Sequence, residues 1–156
     1  DVHKHPHYWD TEGVKHEINE WSPEHEADKA ISYLRNEGNV RDPKKPFFMM
    51  VSFNPPHSPY ASLEDCMEED YDLYKDLPLD SLLIRPNANR EMKKAASVRY
   101  YFASVTGVDR AFGRILDELE KQGLDKNTLV IFLPIMEKPC AAKIRTIPKT
   151  RLMPKV

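Results

Sequence analysis

The stretch Pro46-Phe47-Phe48-Met49-Met50-Val51-Ser52-Phe53-Asn54-Pro55-Pro56-His57-Ser58-Pro59-Tyr60 decides the fold. Its first eight residues are too few and too evenly apolar for a surface helix. They read as a strand covered on both faces, the kind that belongs to a parallel sheet. The prolines that follow exclude regular structure and hold the backbone extended. His57 therefore stands on a stiff loop at a strand's carboxyl end, where open α/β sheets bind their ligands.

Upstream, Ser22-Pro23-Glu24 carries the signals of a helix start: a hydroxyl able to cap, a proline suited to the first turn and an acid at the positive end of the dipole. Ala27, Ala30, Ile31 and Leu34 follow at helical spacing, and Gly38 is the expected end. Downstream, a short acidic amphipathic segment from Glu64 to Tyr74 and an irregular stretch from Leu77 to Asn89 lead to a long helix, Glu91 to Gln122. Its expected buried stripe is Tyr101, Val105, Val108, Phe112, Ile115, Leu116 and Leu119, with Gly107 and Gly113 marking close packing and Gly123 the C-terminal cap. Thr128 to Leu133 reads as a second buried strand. The order is thus α, β, loop, α, β, an α/β pattern with too few strands to cover a sheet, as expected of the middle of a larger domain.

Composition narrows the alternatives. The chain has 156 residues, 23 basic against 25 acidic, and 40% hydrophobic residues, which excludes a disordered tail. No apolar run approaches the roughly 18 to 20 residues that cross a bilayer. The two cysteines, Cys66 and Cys140, are too few for a disulfide framework. Thirteen Pro against five Gly predicts long, stiff loops. The chain opens on Asp1-Val2-His3, without an initiator Met or a charged-then-apolar leader, so the start reads as internal. His3, His5 and His7 alternate and would share one face of a strand, a spacing open to a metal, but Pro6 favours a solvated arm. Beyond residue 134 the character changes: Lys138 to Val156 holds six basic residues and no acid, whereas the preceding residues hold 17 basic and 25 acidic. The chain accordingly divides into residues 1–133 and an atypical basic tail, 134–156.

Lys45 to Tyr60, Tyr100 to Leu116 (Tyr-Tyr-Phe-Ala-Ser-Val-Thr-Gly-Val-Asp-Arg-Ala-Phe-Gly-Arg-Ile-Leu) and Asn127 to Phe132 resemble the central part of a type I sulfatase, the arylsulfatase branch of the alkaline-phosphatase-like superfamily. Trp21 to Leu34 resembles the helix preceding that strand, so the likeness runs in order over residues 20–133. It implies a mixed, mostly parallel sheet flanked by helices, and a parent enzyme hydrolysing sulfate esters of sugars or aryl compounds. Such enzymes use a formylglycine nucleophile beside a calcium ion. One site residue carries over: His57, in Pro-x-His-x-Pro, which the resemblance assigns to binding the substrate sulfate or donating a proton toward the leaving side. Imidazole suits both tasks near neutral pH. Asp109 also matches a family position and reads as structural.

Other family landmarks are missing. Neither Cys66 nor Cys140 begins the C/S-x-P-x-R motif that yields formylglycine, and the acidic pair that holds calcium is lacking. Where the family carries Asp-His-Gly-Glu or Asp-Asn-Gly, this chain reads Pro134-Ile135-Met136-Glu137. Without those carboxylates no calcium is expected on this chain, and alone it is expected to be inactive. Regrouping possible codons one base earlier from Leu133 permits Ser-Asp-His-Gly-Glu, and Pro148 to Val156 then permits a Tyr-Ala-Glu-Ser stretch like a later family segment. The tail thus reads as the product of one lost base near codon 133. The alternative is a natural basic tail that contacts an anionic partner.

Two rival functions stay open on the residues. One keeps the superfamily and hydrolyses phosphodiesters or phosphonate esters. The other is a noncatalytic polyanion-binding module that uses the tail. The acidic remainder and the lack of a stacking motif argue against nucleic acid. The resemblance implies a sulfated small molecule or glycan as the partner of the parent enzyme. Family resemblance makes the periplasm or the exterior of the cell the expected location.

Overall fold

The computed structural model describes residues 3–86 and 95–133. A hairpin of β1 (His7–Trp9) and β2 (Lys15–Glu17) precedes helix α1 (Ser22–Leu34); short helices α2 (Glu68–Asp72) and α3 (Leu79–Leu82) lie ahead of the long helix α4 (Ser97–Lys121). Single 3-10 turns occupy Glu37–Asn39, Leu63–Asp65 and Asp125–Asn127. The hairpin is antiparallel, with Tyr8 opposite His16.

Helix α1 starts as the sequence suggested, but its cap differs. Trp21 holds the cap position, Ser22 makes no side-chain cap bond, and Pro23 lies in the first turn. The Ser22 N–H is instead satisfied by the main-chain carbonyl of His3 at 2.9 Å. The helix stops at Leu34, four residues before Gly38, because Asn36 turns left-handed (φ 59°) and accepts the chain reversal itself. At the end of α4, Gly123 adopts φ 66° as expected of a terminating glycine. The expected start of that helix at Glu91 lies outside the described residues, as does the basic tail; Ala96 caps the described helix.

The core forms between α1 and α4. Ala27, Ala30, Ile31 and Leu34 meet Ala111, Ile115 and Leu119, and Phe47, Met49, Val51, Phe53 and Val130 pack against them. The face that α4 buries differs in part from the expected stripe. Ala103, Ser104, Gly107 and Ala111 are buried, whereas Tyr101 and Val105 remain partly exposed. Small side chains let the neighbouring elements approach; Trp21 lies so close over Gly107 that a Cβ there would stand 2.6 Å from its ring. The larger apolar residues look elsewhere, Tyr101 onto Tyr60 and Phe112 onto Phe132. Gly113 has open space where a Cβ would be, so close packing does not explain it.

The two predicted parallel strands form no ladder within this segment. Among the described residues the sheet is the two-stranded hairpin, and neither 46–53 nor 128–133 pairs into a ladder. Burial along Phe47–Phe53 alternates, odd positions packed on the helices and even positions outward, with Phe48 88% and Met50 81% exposed. One face is covered instead of two. A parallel strand needs a neighbour to bond and layers on both sides, and the described residues supply one layer. No helix among them is long and apolar enough to cross a membrane.

Candidate functional site

His57 sits where the sequence placed it, directly after the apolar stretch. Its N–H closes a turn onto the Asn54 carbonyl at 3.0 Å. Its ring donates from Nδ1 to the carbonyl of Ser58 at 2.8 Å. A carbonyl only accepts, so Nδ1 carries the hydrogen, and Nε2 holds the lone pair in the neutral ring or a second N–H in the protonated one. The side chain is exposed while Pro55, at the loop's root, is buried. Both Pro55-Pro56 and Ser58-Pro59 are cis peptides.

Three elements hold this loop. Tyr60 rests edge-on against Tyr101 of α4. The Asp65 carboxylate accepts the N–H groups of Ala61 and Ser62 at 2.7 and 3.2 Å, and the Asp65 carbonyl accepts from Trp21 Nε1 and Ser104 Oγ. From the other side His3 Nε2 donates to the His57 carbonyl at 2.8 Å. His3 is therefore not part of a solvated arm: it is 1% exposed, whereas His5 and His7 face solvent. Its role has no sequence signature, since its partner lies 54 residues away.

The remaining candidates stand apart from His57. Cys66 is buried, and burial pushes its thiol up to about 11, the opposite of an activated nucleophile. Asp109 is exposed on α4. Glu24 and Asp28 of α1 and Asp70 of α2 are bound to arginines: Arg110 reaches Asp70 at 2.6 Å and Glu24 at 3.2 Å, and Arg114 bridges Glu24 and Asp28. No group of three or more His, Cys, Asp or Glu among the described residues could hold a metal ion. The oxygen shell that calcium requires does not fit them. Beside the loop a groove of about 1130 Å³ runs between the hairpin, the outer face of α1 and the outward side of 48–52, reaching Asn54. Glu26 lines it, and burial alone pushes this carboxyl up to about 7.

A sequence profile of the sulfatase family matches residues 3–133. An endo-4-O-sulfatase of Bacteroides thetaiotaomicron is 72% identical over 132 residues, spanning 85% of this chain and 26% of that protein. An ulvan-active sulfatase of Formosa agariphila is 31% identical over 138 residues, 85% of this chain and 24% of its own length. Among solved structures, a chain from work on the metabolism of multiple glycosaminoglycans by Bacteroides thetaiotaomicron superposes with a TM-score of 0.80 at 71% identity, covering 85% of this chain and 27% of that one. The chain spans about a quarter of the length of the curated relatives it matches.

Proposed function

This chain belongs to the sulfatase family, and on that premise we propose that it is a segment of a sulfuric ester hydrolase acting on a sulfated glycan, in which His57 meets the sulfate. The observation carrying this reading is the 72% identity to an endo-4-O-sulfatase over 132 residues. The proposed target is accordingly a 4-O-sulfate ester inside a polysaccharide. A polymer of that kind is met outside the cytoplasm, which supports an exported location. The named relatives are sulfatases, and this favours sulfate over the phosphodiester and phosphonate alternatives.

The proposed chemistry on this chain is confined to His57. With Nδ1–H bound to Ser58, the ring can turn only Nε2 to substrate without giving up that bond. Protonated, it donates a charge-assisted hydrogen bond to a sulfate oxygen, or passes the proton to the departing sugar oxygen. In the family a formylglycine nucleophile would supply the attack on sulfur beside calcium; this sequence lacks the C/S-x-P-x-R motif, and no group among the described residues could hold the metal. The isolated chain is thus proposed to bind without turnover.

The test is sulfate release from oligosaccharides sulfated at O4 or at O6, with calcium present, beside a phosphodiester. The isolated chain should stay at background, and a whole protein carrying this segment should release sulfate from the O4 substrate. Turnover of the phosphodiester alone would replace the reading. Sulfate release by the isolated chain would end the claim that it is inactive.

A further inference from the structure

The carbonyl of His57 is held by a side chain that comes from the far N-terminal end of the described chain. His3 donates from Nε2 to that carbonyl at 2.8 Å and is 1% exposed. Its own main chain is fixed on two sides, because its carbonyl accepts the Ser22 N–H at 2.9 Å and the next residue, Lys4, donates to the Glu64 carbonyl at 3.1 Å. Lys4 also bridges to Trp21, which lies under the α1 start. A buried donor so anchored fixes the height and direction of the carbonyl it bonds. The same turn runs from the Asn54 carbonyl, which accepts the His57 N–H, to the Ser58 carbonyl, which accepts from the His57 ring.

We propose that His3 is a positioning residue for His57: its imidazole, held as the Nε2–H tautomer, fixes the turn that aims the His57 ring at an oxyanion of the sulfate class. The orientation toward sulfate rests on the reading of His57 given above; the positioning of the turn does not. Removing the donor should leave the α1–α4 core intact and loosen the loop, since the His3 ring holds the loop by its hydrogen bond to the His57 carbonyl.

Ring nitrogens are read by NMR on chain labelled with 15N-histidine, in parent, H3Q and H3M. Glutamine and methionine are close in shape, and only glutamine keeps a donor. In the parent, His3 should appear as the Nε2–H tautomer and His57 as Nδ1–H. H3M should shift the His57 ring signals and speed exchange of the His57 amide about three- to tenfold, the loss of one ordinary hydrogen bond. H3Q should restore both, with signals from Ala111 and Ile115 unchanged throughout. A parent His3 found as the Nδ1–H tautomer, or H3M indistinguishable from parent, overturns the proposal. The parent tautomer decides if both variants fail to fold. Inorganic sulfate is then added as the probe, and binding that perturbs His57 should weaken three- to tenfold in H3M and recover in H3Q. A parent ring that ignores sulfate overturns the sulfate-binding role of His57 and the anion-aiming part of this proposal, whereas the tautomer and exchange data still decide whether His3 holds the turn.

Discussion

Arg35 grips Glu118 through two parallel hydrogen bonds, Nε to Oε1 at 2.9 Å and Nη2 to Oε2 at 3.0 Å, and so ties the end of α1 to the last turn of α4. The Glu118 side chain is buried and also accepts from Gln122 at 2.8 Å. The Arg35 and Gln122 bonds hold its carboxyl down to about 2. A depressed acid stabilises the fold above the ordinary carboxylate pKa, and that contribution fades as pH falls toward 2. Arg35→Met should therefore lower the urea midpoint at pH 7 and flatten its decline between pH 4.5 and 2. Parallel acid profiles for parent and variant would show that the pair does not set the fold's acid limit.

The glycines of α4 should respond in opposite directions. A Cβ at Gly107 would stand 2.6 Å from the Trp21 ring and 2.8 Å from Asp70 Oδ2, whereas one at Gly113 meets nothing within 4 Å. Gly107→Ala should destabilise by about 1 to 3 kcal/mol through overpacking. Gly113→Ala should gain about 0.5 to 1 kcal/mol, because alanine restricts the unfolded chain and suits a helix. Urea unfolding of both variants checks the pair, and a gain at Gly107 would mean that Trp21 can move aside.

These contrasts mark how far local pattern reaches. Helices α1 and α4 were legible because apolar spacing, a proline in the first turn and Gly123 are short-range signals. The position of His57 was legible for the same reason, as the apolar run and the prolines around it are contiguous. The buried face of α4 was legible only in part, because Gly107 and Ala111 carry little hydrophobic weight and owe their burial to Trp21 and α1. The pairing of Phe47–Phe53 depends on neighbours that local sequence does not contain. The role of His3 escaped the reading of the sequence, which placed it on a solvated arm, because one hydrogen bond across 54 residues leaves no periodic trace.

The reading-frame expectation for the tail is decided by nucleotide sequence across codons 128 to 156. One restored base near codon 133 should turn Pro134 to Glu137 into Asp-His-Gly-Glu. A sound frame would make the tail native. Its six basic residues should then give salt-dependent binding to a sulfated polyanion that disappears when residues 138–156 are deleted.

Glu26 should give the fold a second, opposite dependence on pH. Its carboxyl lines the groove beside α1, one oxygen has no hydrogen-bond partner, and burial pushes it from the ordinary 4.5 up to about 7. Below about pH 4.5 the group is neutral in both folded and unfolded chains and costs nothing. Between 4.5 and 7 the unfolded chain ionises first, so stability falls as pH rises; above 7 the folded chain carries the full cost of a poorly solvated charge. Partial solvation limits that cost to about 1 to 2 kcal/mol. Glu26→Gln keeps the shape and removes the charge, so it should match the parent near pH 4 and exceed it by that amount at pH 8. Urea midpoints of the two proteins at pH 4, 6 and 8 separate this effect from histidine titration common to both. A constant offset across the series would mean that the Glu26 carboxylate is already solvated in the folded chain.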